Sequence, residues 1–428
     1  MSPQPEPAIQ LGTAPIETID IAAISAFCRE GREEGIDLDY KSDWPRDLDK
    51  LLCAFANTQG GLLLIGVEEE GKSRKPKCPA PGVEGPEEAL HQRVMNVAFD
   101  AVYPPIMPEV RACAVPGSSG RFVVLVRVSP SRLMHSSDRR TRIYVRVADS
   151  SRGYELASLA DLEWLWAQRA KSDLLRDRLM SMAIERSSSP AIPWHSDAEQ
   201  DTWAVQPLLT VAVMPTFPVD ALRVESRALL DKANSLAQVR TAWKLVDRRV
   251  PWQVGLWRSL PGAVCLSDRG HGSSLQYIEI GQLGHIYAAF SLETRDLPAA
   301  SEGSAQRPRC HAAYVLLAYL QACLQFAARF LDVIAYPWPI TVSATLHRAQ
   351  TAVVYYKLPT TMDPFDLDWL SPPCPDETVP LLMSEMPARE LAAHQDELML
   401  QAVKSLTWAY GLGWDGAQVG QWYKKLTS

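Results

Sequence analysis

Four side chains near the start of the chain have the types and spacing of a site for phosphoryl chemistry. Glu34 and Asp39 stand five residues apart across Gly35, Lys41 follows on the same strand face as Asp39, and Glu68 begins the turn after an apolar run. If the segments 36–41 and 62–67 are neighbouring strands, Asp39 and Glu68 converge near one end of a sheet. Carboxylates gathered in this way bind a hard divalent cation through oxygen. Mg²⁺ or Mn²⁺ held there would activate water and offset the charge of phosphoryl displacement, with Lys41 available to the scissile phosphate. The same spacing also suits surface acids at helix ends and hairpins. It does not choose between the two.

Charge is segregated around this region. Residues 30–49 hold eight acids against three bases, whereas residues 121–152 hold eight arginines against Asp138 and Asp149. None of those eight bases is lysine, and arginine's planar fork suits bidentate phosphate contacts. Arg132, Arg139, Arg140 and Arg142 fall in the loop 129–142 among Ser129, Ser131, Ser136, Ser137 and Thr141, and Arg146 follows in a short strand. Hydroxyls of this kind also meet phosphate oxygens. The run reads either as a solvated face or as a contact surface for RNA or DNA. A net charge of −7 argues against basic coating of nucleic acid by the whole surface.

Gly66-Val67-Glu68-Glu69-Glu70-Gly71-Lys72-Ser73 fits the pattern GxxxxGK[ST]. A working phosphate loop needs N–H groups aimed at the anion and a helix directly after it. Three glutamates fill the cradle here, and the continuation through Pro76, Pro79 and Pro81 does not start a helix. A polar turn is the better reading; ATP is not expected as a cofactor, and nucleotide binding is kept as an alternative function. The eight cysteines form no CxxC or CxxH pair, and neither GxSxG nor HExxH occurs. Thirteen tryptophans, nine of them after residue 200, offer faces on which bases stack, although in folded domains such residues are more often core.

The elements that must position these groups follow from periodicity. Helices are expected over 18–32, after Pro45, over 86–102 and over 156–184, with strands at 36–41, 62–67, 109–115, 121–128 and 143–147. The strand 36–41 alternates apolar and charged residues, so one charged face is expected. Residues 1–184 therefore form one α+β domain, 185–204 a linker, and 205–428 a second α+β domain with a partner, dimerisation or sensing role. In the second half, strands are expected near 208–214, 263–267, 275–281, 285–291, 339–346 and 351–357. Helices are expected at 311–334 and 388–410, and the Pro-rich stretch 358–387 is assigned no element. Ala312–Leu331 is long enough to span a membrane but carries Gln321, Gln325 and Arg329. A central arginine costs about 2.5–3.5 kcal/mol in a bilayer, so a buried helix and no membrane partner are expected. The scattered cysteines and a start without an apolar leader place the protein in the cytoplasm.

The order of pieces resembles a known family. Glu34, Asp39-Tyr40-Lys41, then Ala54-Phe55-Ala56-Asn57-Thr58-Gln59-Gly60-Gly61 running into Leu63-Leu64-Ile65-Gly66-Val67, resembles the Schlafen/AlbA-like nucleic-acid-binding domain over roughly residues 18–170. Tyr144-Val145-Arg146-Val147-Ala148-Asp149-Ser150-Ser151 looks like its closing strand and turn. The resemblance implies an α+β domain that binds DNA or RNA. It also implies, for its nucleolytic members, a metal-dependent ribonuclease site at the positions of Glu34, Asp39 and Glu68. Asp39 stands where glutamate is usual, and Ala148 where glycine is common. Animal members pair two such lobes, so a composite cleft here would need a homodimer or the second domain.

Overall fold

A computed structural model describes residues 11–12, 14–71, 73–137, 142–146, 154–155, 159–188, 206–216, 218, 224–236, 258–260, 262–269, 275–292, 294–297, 309–334, 336, 339–358 and 367–427. The chain is α+β and divides into two units, Met1–Lys171 and Ser172–Ser428.

In the first unit, Asp20 starts helix α1 (Ile21–Glu30) by accepting from the Ala23 N–H at 2.8 Å, and Gly31 ends it in the left-handed conformation. Helices α2 (Leu48–Asn57) and α3 (Glu87–Asp100) lie on the opposite face of a five-stranded sheet. Its strands are β1 (Leu38–Lys41), β2 (Gly61–Ile65), β3 (Val83–Glu84), β4 (Glu109–Ala114) and β5 (Arg121–Val128). β1 runs parallel to β2, and β5 pairs antiparallel with β2, β3 and β4. The period of two divides the side chains. Leu38, Tyr40, Leu62, Leu64, Val123 and Leu125 pack with Ile24 and Cys28 of α1, while Leu63, Ile65, Val124 and Val126 pack with Leu52 and Phe55 of α2. The charged face of β1 is therefore covered too. Asp39 is 0% exposed. A short hairpin, β6 (Tyr144–Val145) with β7 (Tyr154–Glu155), adjoins α2, and α4 (Leu159–Ser188) follows.

The expected boundary at 184 falls inside α4. The last turns of that helix, through Leu179, Met180 and Ala183, belong to the second unit's core. There, β8 (Leu208–Pro215), β9 (Arg258–Leu260), β10 (Ala263–Arg269), β11 (Leu275–Gly281) and β12 (Ile286–Ser291) join a seven-stranded antiparallel sheet. A three-stranded sheet holds β13 (Arg295–Asp296), β14 (Arg309–Ala312) and, further along the chain, β16 (Val353–Tyr355). Helix α5 (Ser226–Leu236), which the sequence reading did not include, packs Leu229 and Ala233 on the larger sheet's core. The apolar helix α6 (Ala313–Val333) is a core element: Leu316, Leu320, Leu324, Phe326 and Phe330 are buried, and Arg329 is exposed.

β15 (Pro339–His347) alternates buried and half-buried residues, and β17 (Thr378–Pro387) closes the sheet at one edge. This strand lies within the stretch assigned no element. Thr345 pairs with Pro380 and Ala344 with Leu382, so Leu381 is the extra residue of a bulge. An edge strand with a bulge tolerates a proline that a central strand would reject. Helices α7 (Gln395–Ala409) and α8 (Gly416–Thr427) complete the unit, and α8 was also unexpected. Asp415 and Gln418 cap it reciprocally at 2.8 and 2.9 Å, and Val419, Trp422, Tyr423 and Leu426 are its buried stripe.

Beneath the end of α4 the sheet buries a charge. Glu279 accepts from Arg186 Nη1 at 2.5 Å and from the Tyr277 hydroxyl at 2.6 Å, with His285 Nε2 at 3.5 Å. Burial opposes ionisation of Glu279, but the hydrogen bonds of His285 and Tyr277 and the charge of Arg186 outweigh it, so its carboxyl lies below the usual range. Glu279→Ala should strand Arg186 and Tyr277 and lower stability by about 3–5 kcal/mol. Tyr277→Phe, which keeps the ion pair, should lower it by about 1.5–3 kcal/mol. Urea midpoints of the two variants check the order; equal midpoints would remove the ion pair from its central role.

Candidate functional site

Asp39 is the centre of the first unit's polar core. It projects from β1 on the side of Leu63 and Ile65, beneath α2. One oxygen accepts from Arg146 Nη1 at 2.5 Å, and the other accepts from Lys41 Nζ. Arg146 is as deeply buried as its partner. Its second amino group donates to the carbonyls of Gly35 at 2.6 Å and Leu38 at 3.2 Å, and its guanidinium lies 4.8 Å from the centre of the Phe55 ring. Glu34 closes the group, accepting from the Tyr40 N–H at 2.7 Å with Lys41 Nζ at 3.7 Å. Burial, then hydrogen bonding to Asp39 and its negative charge, raise the Glu34 carboxyl to about 8, against the pull of the Tyr40 N–H and Lys41. At neutral pH Glu34 therefore favours its protonated form.

The segment Ala54–Gly61 builds this arrangement. A Cβ on Gly61 would stand 2.3 Å from the Phe55 ring and 2.8 Å from the Asp37 carbonyl, so only glycine lets β2 start so close to α2. Phe55 then provides the floor for Arg146. The Thr58 hydroxyl donates to the Ala54 carbonyl at 2.7 Å and accepts from the Arg146 N–H at 2.8 Å. Asn57 donates to the carbonyls of His135 at 2.7 Å and Tyr144 at 2.9 Å and accepts from the His135 N–H at 2.8 Å. Asn57, Thr58 and His135 thus fix both the arginine loop and the strand carrying Arg146. The sequence motif contains Asn57 and Thr58 without revealing which backbone groups they hold.

The arginines expected to meet phosphate divide into different roles. Arg146 is a core residue, not a surface one, because the buried Asp39 requires a cation. Arg142 is exposed and lies 3.5 Å from Glu155. Its backbone pairs with Ser137, closing the stem of the loop. Arg132 is exposed on the approach to that stem. Arg139 and Arg140 lie outside the described residues. Elsewhere in the run, Arg121 ties Glu84 and the carbonyls of Pro81 and Gly82, and buried Arg127 holds Glu109 and the carbonyls of Leu11 and Ala14.

Of the four residues considered for catalysis, Glu34, Asp39 and Lys41 come together. Glu68 does not join them: it is exposed and pairs with Lys77 at 3.0 Å. The donor set does not fit a divalent cation, since both Asp39 oxygens are already held by Lys41 and Arg146. Among the described residues no group of three His, Cys, Asp or Glu side chains could hold a metal ion. The described residues of the segment 66–73 form a turn. Its N–H groups at Gly66 and Val67 reach the Lys41 carbonyl, and those at Glu70 and Ser73 reach the carbonyls of Lys75 and Glu70. Lys72 lies outside the described residues.

Residues 34–155, within the first unit, match the family model Schlafen, AlbA_2, in line with the resemblance read from the sequence. The chain is also similar to the N-terminal domain of a RecG-related protein from Nitrosomonas europaea, at 18% identity over 31% of this chain and 84% of that one, with a TM-score of 0.23. The DIP2311 protein of Corynebacterium diphtheriae is 15% identical over 95% of this chain and 92% of that one, with a TM-score of 0.24. No curated protein matches the chain.

Two outcomes follow for the buried group. Arg146→Met should lower stability by about 3–5 kcal/mol by removing the buried partner of one Asp39 oxygen and leaving only Lys41 beside the carboxylate, and adding Asp39→Asn should restore part of the loss. Urea midpoints of the single and double variants test this; an additive double variant would uncouple the pair. Glu34 binds its proton more tightly folded, at about 8, than an ordinary carboxyl near 4.5. Its contribution is full below pH 4.5 and is lost as pH rises through 8. Glu34→Gln should flatten the fall in melting temperature across that window; an unchanged profile would contradict it.

Proposed function

We propose that the first unit is a nucleic-acid-binding module that meets the phosphate backbone through Arg132, Arg139, Arg140 and Arg142. The observation that carries this reading is the loop stem. Within the segment matched by the family model, Asn57 grips the backbone at His135, and Ser137 pairs with Arg142. Four arginines thus lie on, or within three residues of, a stem anchored to the core. Backbone held at His135, Ser137 and Arg142 lowers the entropy lost when side chains on it are immobilised against a phosphate chain.

Binding without cleavage is the form that the geometry favours. A metal at Asp39 would have to displace Lys41 and Arg146 from a site whose folding depends on them, and Glu68 stands apart with Lys77. The acidic pair is therefore read as scaffold and the arginines as contacts.

Fluorescence anisotropy with labelled single-stranded RNA, single-stranded DNA and duplex DNA, at several salt concentrations, tests the proposal. Replacing Arg132, Arg139 and Arg140 with Ala should weaken binding across sequences and lower the salt slope by about 0.7–0.9 per lost contact. An unchanged slope in the folded variant would make the loop a solvated face. Mg²⁺ or Mn²⁺ should leave the strands intact; cleavage abolished by Asp39→Asn would replace this reading with the ribonuclease one.

A further inference from the structure

The second unit contains an aromatic cavity that the arginine loop does not involve. Its volume is about 430 Å³, and Lys357, Trp369, Trp414, Gln421, Trp422 and Lys425 are among its lining residues. That volume lies within the range of small-molecule sites.

The walls are positioned by specific contacts. Trp422 donates its indole N–H to the Tyr356 carbonyl at 2.8 Å, which fixes that ring in the wall. Tyr356 packs edge-on between Trp369, with ring centres 5.5 Å apart, and Trp414, at 5.2 Å. Trp414 in turn stands 6.0 Å from Trp422. The capped helix α8 brings Gln421, Trp422 and Lys425 to one side, spaced at about one helical turn. Trp422 is buried, whereas Trp369 is 38% exposed and Gln421 and Lys425 are exposed at the rim.

The chemistry of this lining is asymmetric. Three indoles offer planar faces, two lysines carry positive charge, two glutamine amides offer donors and acceptors, and among the described residues none of the lining side chains is a carboxylate. A ligand matching all of these has a flat aromatic ring with polar edges and a negative group a few ångströms away. We propose that the cavity binds a nucleobase bearing a phosphate, the ring stacked on indole, its edge toward Gln421, and the phosphate between Lys357 and Lys425. Aromatic stacking accepts any base, because every base has a π-face. The ligand is either a free nucleotide or one nucleotide of a single strand. The proposal stands independently of the arginine loop, which belongs to the other unit.

Equilibrium dialysis of the full chain against labelled AMP and UMP tests it, with inorganic phosphate, adenosine and a 5′-phosphorylated six-nucleotide single strand alongside. AMP and UMP should be retained, and phosphate or adenosine alone should bind at least tenfold more weakly. Trp369→Ala and Lys425→Ala should each weaken AMP binding by about tenfold, and Trp369→Phe should recover most of the affinity. Both positions lie at the surface, and an unchanged circular dichroism spectrum establishes that the variants fold. The strand binding more tightly than AMP, with the same loss in Trp369→Ala, assigns the site to a nucleic-acid chain; the reverse order assigns it to a free nucleotide. Replacing the three loop arginines should leave AMP retention unchanged, so each proposal fails separately. No retention of any probe at millimolar concentration, or equal retention by wild type and both variants, overturns the site.

Discussion

Asp39 and Arg146 are 107 residues apart in sequence and meet with both side chains at 0% exposure. Removing two charges from water costs several kcal/mol per ion, so such a pair persists only when its surroundings offset much of that cost. Here several groups do so. Lys41 takes the second Asp39 oxygen, two carbonyls take the second amino group of Arg146, Phe55 lies against the guanidinium, and the Glu34 carboxyl is raised to about 8. Each of these contacts fixes a different element. Strand β1, the turn before it, helix α2 and strand β6 are located relative to one another by one ion pair.

This gives the segment Ala54–Gly61 a physical meaning. Its residues hold the frame on which the loop after His135 is mounted. Gly61 permits the close approach, Phe55 supplies a surface for the guanidinium, Thr58 receives the Arg146 N–H, and Asn57 secures the loop. The arginine run likewise contains two populations. Arg121, Arg127 and Arg146 tie carbonyls and carboxylates within the fold, whereas Arg132 and Arg142 are exposed. Positive charge along a sequence is a mixture of scaffold and surface until burial separates them.

Periodicity made most of the first unit legible, because alternating residues between two helical layers leave a clear pattern at Leu62–Ile65 and Val123–Val126. The acidic face of β1 was legible as acidic but not as buried. A strand's alternation reports which side chains share a face; it is silent on what covers that face. Arg146 was misread for the same reason, since its partner is distant in sequence. In the second unit, Pro380 hid β17, because a proline is compatible with a strand only at an edge or bulge and neither is visible locally. Helix α8 was within reach: Asp415 and Gln418 before the stripe from Val419 to Leu426 form a start signal with matching period. The aromatic cavity was beyond reach, as it depends on Trp369 and Trp422 lining one space from separate elements.

The grip of Asn57 on His135 has a wider consequence. An asparagine amide offers one acceptor and two donors, and here it bonds both backbone groups of His135, as a neighbouring strand would. These bonds are made to main chain, so they specify where the loop begins and are indifferent to the side chains that follow. Truncating Asn57 to alanine would therefore release the main chain at His135 and Tyr144 together without touching any arginine.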